Sequence, residues 1–384
     1  MRATAGDRTG SLAATTSMSF RGFSALSLRR HQVASLEPSS EEELHLLDLL
    51  HSRLTESLQS LLPSPDSKIP LPSLTLSFPF LHKLLDTLLA CENDFKSLLL
   101  LVLSRNPSLI SRPPLDRAVP DLLDRAVKSL DLCNAVSLSL HSLRLWNRHA
   151  DIAASALHRP GGPFTPPQIN RAGRALSKLL HSSCTSLITS SSSCSRICRI
   201  CSAKKQLQAM ASGFTTPRSV ESGSASVLAL AVHTISTLLH FSMWMMVASF
   251  PCGSGESQPP PPIQTATRQM PWALALSRLH EKIAEDIRRE RKQGGLLVSA
   301  GMLEETLALE RSGREVLEMT KSEVGIEAAA ADLAFASRKL EEGLVPFERK
   351  VREVFHRLIR CREEVIRCLG NRSGSSSCSS VDSV

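Results

Sequence analysis

Leucine-rich stripes with helical spacing run through most of the chain. Between residues 40 and 61, leucines recur every three or four residues, which places them on one face and predicts an amphipathic helix. Ser40 and Glu43 have the spacing of a capping box at the start of this helix. The leucines that share the face are Leu44, Leu47, Leu50, Leu54, Leu58 and Leu61.

The same spacing predicts further helices, which are separated by proline, glycine or serine-rich segments. The last of them begins near Pro346, a residue that suits a first helical turn, and ends at Gly370. Its apolar stripe is formed by Val351, Val354, Phe355, Leu358, Val365, Ile366 and Leu369. The other predicted helices cover about residues 80–104, 115–157, 169–190, 272–293, 302–320 and 326–342.

The longest uncharged stretch lies between Glu221 and Glu256, with an apolar centre at Val227–Phe250. A helix of this length rises far enough, at about 1.5 Å per residue, to cross a bilayer. Its histidines and hydroxyl side chains make insertion marginal, and the core helix of a bundle has the same composition. Flanking charge does not decide, because Arg218 and Arg268 balance each other. A membrane span and a buried helix both remain open.

These patterns predict an all-α protein: a multi-helix bundle of long amphipathic helices with disordered termini and one central hydrophobic helix. Aromatic residues make up 4% of the chain and tyrosine is absent, which argues against a β-sandwich or barrel. The predicted organisation is a disordered basic tail (1–36), an N-terminal helical region (37–190), a Ser-rich basic linker (191–226), the hydrophobic helix (227–250, a candidate transmembrane segment), a Pro-rich linker (251–271), a C-terminal helical region (272–370) and a disordered tail (371–384).

Positive charge is concentrated in the middle of the chain. The net charge is +8, and residues 144–218 carry eleven basic side chains against the single acid Asp151. Such a stretch suits an anionic membrane surface, an acidic protein or nucleic acid, or it forms a solvated helix face. Nucleic acid is disfavoured, because aromatic residues and a recognisable docking module are missing.

The N-terminus and the cysteines bear on localisation. The first 31 residues contain no apolar run of the kind that a signal peptide requires, and a transit peptide is disfavoured. The ten cysteines have no paired, regular spacing, which indicates a reducing compartment. We therefore expect a protein that is not secreted, and that is cytoplasmic and membrane-associated or a single-pass membrane protein.

Cysteines provide the nearest approach to a metal signature. A structural zinc site needs four ligands, usually in two short pairs, and only one cluster is present. The same spacing places these thiols on one helix face, so we interpret them, like Cys361 and Cys368, as small apolar side chains. The cluster consists of Cys194, Cys198 and Cys201, and Cys184 lies ten residues before it.

Catalytic motifs are missing from the sequence. His141 or His149 could act as a base beside Asp151, but no nucleophile accompanies them, and chance proximity is the simpler interpretation. The phosphate-binding, dinucleotide, metalloprotease and hydrolase motifs do not occur. We predict no catalytic, cofactor-binding or metal-binding residues, no cofactor, and a protein that is not an enzyme.

Seven long segments of the chain are more specific than any short motif. They are FLHKLLDTLLACENDFKSLL (80–99), PPLDRAVPDLLDRAVKSLDLCNAVS (113–137), RHADIAASAL (148–157), AKKQLQAMASGFTTPR (203–218), MWMMVASFPC (243–252), PWALALSRLHEKIAED (271–286) and GLVPFERKVREVFHRLIRCREE (343–364). Through these segments the chain resembles the plant BYPASS-related family, in particular its ROH-type branch, from about residue 19 to residue 370. The resemblance implies a helical plant protein without known catalytic residues, whose relatives include partners of an exocyst subunit in polarised secretion and proteins tied to a root-to-shoot developmental signal.

Three functional expectations follow from the residues and the resemblance. The first is an adaptor that binds an exocyst subunit, with residues 346–369 as the contact and the basic middle at an anionic membrane surface. The alternative is a single-pass membrane protein that is anchored by residues 227–250 and regulates the developmental signal. Nucleic-acid binding through residues 144–218 is the third and least favoured expectation.

Overall fold

The computed structural model describes eight stretches of the chain, and within them it is helical, which confirms the all-α prediction. The described residues are 38–62, 76–158, 164–181, 199–211, 223–250, 270–293, 303–322 and 325–370. The helices are α1 (Pro38–Leu61), α2 (Phe78–Arg105), α3 (Leu115–Ala156), α4 (Pro166–His181), α5 (Arg199–Ala211), α6 (Ser224–Ser249), α7 (Ala273–Gln293), α8 (Glu304–Ser322) and α9 (Ile326–Gly370), with a short 3-10 helix at Pro107–Ser111. The tails predicted to be disordered, 1–36 and 371–384, lie outside the described residues.

Helices α3 and α6 lie at the centre of the bundle. The long helix α3 packs against α4, α5, α6 and α9, while α6 contacts α1, α2, α3 and α5. Helix α9 runs along α2, α3 and α8, so the first and the last of the described helices share one continuous hydrophobic core.

The predicted leucine stripe of α1 forms part of this core. Its residues from Leu47 to Leu61 are buried, whereas Leu44, near the start of the helix, is 39% exposed. The stripe that begins at Trp272, just before α7, and ends at Ile287 is buried in the same way. Both faces follow the spacing of three and four, because that spacing keeps side chains on one side of a helix.

Helix α9 is continuous where the sequence predicted a break. Pro346 lies inside the helix, not in its first turn, and the buried positions Leu340, Leu344 and Phe347 continue across it. A proline removes one backbone hydrogen bond, but an unbroken apolar stripe against α2 and α3 favours a single helix. Gly343 permits the close approach of α9 to α2, because a Cβ atom at this position would collide with the ring of Phe78.

Helix α5 lies within the segment that we interpreted as a Ser-rich basic linker, 191–226. Its inner side chains Ala203, Leu207 and Met210 are spaced by four and three residues and are buried against α3 and α6. Upstream, α4 ends at His181, and residues 182–198 are outside the described part of the chain. The sequence therefore did not predict a helix here, because basic residues surround its short apolar stripe.

Of the helices that the structure describes, α6 is the one long and apolar enough to cross a membrane. In this fold, 83% of its most apolar window is buried inside the bundle. Two of its polar side chains meet partners there: Nε2 of His51 lies 3.0 Å from Oγ1 of Thr234, and Nε2 of His240 lies 3.2 Å from the carbonyl oxygen of Leu207. Helix α6 thus occupies the position of a core helix.

Candidate interaction surface

Helix α4 presents a basic face to solvent. Arg171, Arg174 and Lys178 are exposed and lie on one side, because their spacing is three and four residues. The opposite side packs on α3 and α8, and Nε1 of Trp146 in α3 donates a hydrogen bond of 2.8 Å to the carbonyl oxygen of Leu179. The helix contains no acidic residue, so its outer face is uniformly positive.

The basic face of α4 continues onto α3. Burial, together with the charge of Lys178, lowers the pKa of His149, which places this part of α3 beside α4. Arg148 is exposed next to His149. We call Arg148, His149, Arg171, Arg174 and Lys178 the basic ridge. Within the described part of the chain, the four permanent cations of the ridge form no ion pairs, which leaves them available to an anionic partner.

Arg144 belongs to the same basic stretch of sequence but has a structural role. Its Nη2 donates to Oε2 of Glu348 at 3.0 Å, and its Nε lies 3.5 Å from Oε1 of Glu341, so it ties α3 to α9. Three further basic residues of the stretch, Arg159, Arg196 and Arg218, are outside the described residues. The charge excess seen in the sequence is therefore divided between packing and surface.

A row of apolar side chains lies on the outer face of α3. Leu138, Leu145 and Ile152 are 43%, 38% and 40% exposed and follow one another at intervals of seven residues. We call these three residues the α3 stripe. The sequence contained this signal, but α3 is packed by neighbours on several sides and carries apolar residues around much of its circumference, so periodicity alone did not single the stripe out.

The last part of α9, predicted as the contact for a partner, turns its apolar stripe inward and its charged side chains outward. Val351, Val354, Leu358 and Val365 are buried, whereas Ile366 is 40% exposed. Two charged contacts also fasten this segment to α2. Nη2 of Arg357 donates to Oε2 of Glu92 at 2.6 Å, and Nζ of Lys96 donates to Oε1 of Glu364 at 2.7 Å. Deleting residues 346–369 would therefore remove part of the core, so the deletion cannot test a contact surface.

The residues considered for acid–base chemistry are not brought together. His141 is exposed on α3, and His149 belongs to the basic ridge. The hydroxyl of Ser337 in α9 instead lies within hydrogen-bond distance of Oδ1 of Asp151 and of Oδ1 of Asn147, 2.9 Å from the latter, and its one proton is shared between these two acceptors. This network joins α3 to α9, and it is not visible in the sequence because its members lie 186 and 190 residues apart.

The described cysteines show no ligand cluster. Among the residues with described positions, no three His, Cys, Asp or Glu side chains converge as metal ligands. Burial, followed by the charge of Glu92, raises the pKa of Cys361 to about 12, which keeps it as a thiol. Cys194 and Cys198 of the predicted cluster, and Cys184 before it, lie outside the described residues.

Comparisons with known proteins give consistent matches across the chain. The family model described as Protein ROH1-like matches residues 13–200 and 181–369. Protein ROH1A of Arabidopsis thaliana is 32% identical over 406 residues, which cover 90% of this chain and 94% of that protein. Protein ROH1D of the same plant is 31% identical over 344 residues, covering 78% and 84%. No solved structure matches.

Proposed function

The chain belongs to the ROH1-like family, as its sequence resemblance predicted, and from that premise we propose a non-catalytic adaptor that binds an exocyst subunit in polarised secretion. In this proposal the protein is cytoplasmic and attaches peripherally to an anionic membrane through the basic ridge. The observation that carries the proposal is the ridge itself, whose four permanent cations are exposed to solvent and form no ion pairs in the described structure.

The strength of the ridge suits reversible attachment. A Lys or Arg near an anionic membrane contributes about 1 kcal/mol, so the four permanent cations together supply about 4 kcal/mol. This free energy corresponds to a dissociation constant of about 1 mM, which is too weak to hold the protein at the membrane alone. A second contact, with a protein already at the membrane, would strengthen the attachment. An adaptor makes both contacts, because it binds the membrane and the membrane-bound protein together.

The packing of α6 supports peripheral attachment. A helix that spans a bilayer meets lipid, whereas α6 meets four other helices, and its buried His240 and Thr234 have polar partners on α5 and α1. Lipid would offer no partner to these groups, and leaving them unsatisfied would cost several kcal/mol each. The bundle provides the better environment for this helix.

Vesicle flotation tests the membrane part of the proposal. We expect the full chain to float with phosphatidylserine vesicles and to be released by salt, because the attraction is electrostatic. Arg171→Glu with Lys178→Glu should abolish flotation. The control, Arg349→Glu with Arg360→Glu, makes the same change in net charge at exposed positions of α9 and should leave flotation intact. Equal flotation with phosphatidylcholine vesicles, or an unaffected ridge variant, would contradict the proposal.

The second candidate function is a single-pass membrane protein that regulates a developmental signal. The length and apolar character of α6 favour it. Alkaline carbonate extraction of microsomes separates the two candidates, because it strips peripheral proteins and leaves integral ones in the pellet. We expect the full chain in the supernatant. Retention in the pellet would favour the integral protein and would require α6 to leave the bundle.

A further inference from the structure

The α3 stripe has the geometry of one side of a helix–helix seam. Single apolar residues at a protein surface are ordinary, but Leu138, Leu145 and Ile152 form a row with a repeat of seven. The repeat of seven places them along one line of the helix, over about 21 Å at a rise of 1.5 Å per residue. Seams between two paired helices use this repeat.

The surroundings of the stripe are positively charged. Within α3, the exposed side chains His141 and Arg148 lie between the stripe positions in sequence. The α4 residues of the basic ridge lie on one side of the stripe. From residue 132 to residue 158 the one acid is Asp151, which is exposed and accepts from the hydroxyl of Ser337, and the nearby acids Glu341 and Glu348 of α9 are paired with Arg144. A partner that covers the stripe therefore meets cations at the rim of the contact.

We propose that the α3 stripe binds an amphipathic helix of a partner protein, whose apolar seam is bordered by Asp and Glu. This assignment rests on the proposed function, since it takes the helix from an exocyst subunit. The apolar side chains of the two helices interlock along the seam, and the acids at its rim pair with the cations of the basic ridge, Arg148 among them.

A helix fits this surface better than a membrane or a second copy of the chain does. A helix that inserts into lipid presents a wide apolar face, whereas the stripe is one residue wide and has polar neighbours on both sides. A symmetric dimer through the stripe would bring the basic surroundings of Arg148 in one copy against those of the other, which like-charge repulsion disfavours.

Site-specific photo-crosslinking tests the assignment. A photoreactive amino acid replaces Leu145 in the full chain, which is expressed in plant cells, and mass spectrometry identifies the crosslinked peptide. The matched control carries the same group at Leu274, which is 61% exposed on α7. We expect position 145 to capture a helix with an apolar repeat and an excess of acids, from an exocyst subunit, and we expect the control not to capture it.

Each outcome distinguishes the two proposals. Capture of an acidic amphipathic helix from a protein outside the exocyst would support the assignment of the α3 stripe but would overturn the proposed function. A lipid adduct, a peptide of the same chain, a basic peptide, equal capture at Leu274 or no adduct at Leu145 would overturn the assignment.

Affinity measurements on the captured segment provide the second test. With that segment as a synthetic peptide, Arg148→Glu should weaken binding at least tenfold and reduce its salt dependence, because an attractive charge pair becomes repulsive. Arg148 is exposed, so the variant should fold. Leu274→Ser should bind as the unchanged chain does. An Arg148→Glu variant with unchanged affinity would refute the role of charge in the contact.

Discussion

Protonation of the histidines around α6 should weaken the fold in mild acid. His51, His233 and His240 lie in the interior, where burial lowers the pKa of each from 6.5 to about 4. Between these two values the unfolded chain binds more protons than the folded chain. The free energy of unfolding therefore keeps this contribution in full above about pH 6.5 and loses it as the pH falls towards 4.

The size of the effect follows from the pKa values. For each histidine whose pKa is lowered from 6.5 to about 4, acidification lowers the free energy of unfolding. The decrease is about 2 kcal/mol at pH 5 and about 3 kcal/mol once the histidine is fully protonated in the folded protein. Three such histidines together lose about 6 kcal/mol at pH 5, which is comparable to the whole stability of a typical domain. We expect substantial unfolding near this pH.

Urea unfolding followed by circular dichroism at about pH 7.5 and about pH 5 measures the contribution of one histidine. His51→Gln keeps a donor for Thr234 but cannot titrate, so this variant should lose about 2 kcal/mol less on acidification than the unchanged chain does. His141→Gln, at an exposed position on α3, is the control and should behave like the unchanged chain. Titrating carboxyls elsewhere are common to all three proteins and cancel in the comparison.

An identical acid loss in the unchanged chain and in His51→Gln would refute this reasoning. It would mean that His51 is not buried against Thr234 in solution, and hence that α1 does not cover α6. The packing argument for peripheral attachment would then fail with it.

Two further predictions concern the attachment of α9 to α2. Gly343→Ala should destabilise the fold by about 1–3 kcal/mol in thermal unfolding, because its new methyl group would collide with Phe78. The control is Gly173→Ala, whose methyl group would meet nothing within 4 Å, and this variant should be neutral or stabilising. Equal effects of the two substitutions would contradict the close approach of Gly343 to Phe78. Glu92→Ala should cost about 2 kcal/mol in urea unfolding by leaving Arg357 without its carboxylate, and an unchanged midpoint would show that this pair is not formed.

The sequence predicted most helices, because their apolar side chains face one shared core. The stripe from Trp272 to Ile287 is an example: one buried side requires a spacing of three and four, and the spacing is visible without knowledge of the partner. The continuity of α9 could not be predicted in this way. A proline signals a local cost, but the gain that offsets it comes from α2 and α3, which are distant in sequence.

The candidate surface was only partly predictable. The sequence located the basic stretch, but it could not show that Arg144 pairs with Glu341 and Glu348 while Arg148 stays free for a partner, since these acids lie about 200 residues away. The α3 stripe is a matter of exposure, and exposure depends on which faces the other helices leave uncovered. Both features arise from tertiary packing and not from local pattern.

The neighbours of α6 favour a core helix over a span, whereas its own hydropathy does not separate the two. Arg125 of α3 is 5% exposed, and its Nε donates to the carbonyl oxygen of Met210 in α5 at 3.4 Å. Its charge adds to burial in lowering the pKa of His233 and of His240, so the guanidinium lies close to α6. An arginine at the middle of a bilayer is costly, but here it has a hydrogen-bond acceptor inside the bundle. We therefore expect the basic ridge, and not α6, to meet the membrane.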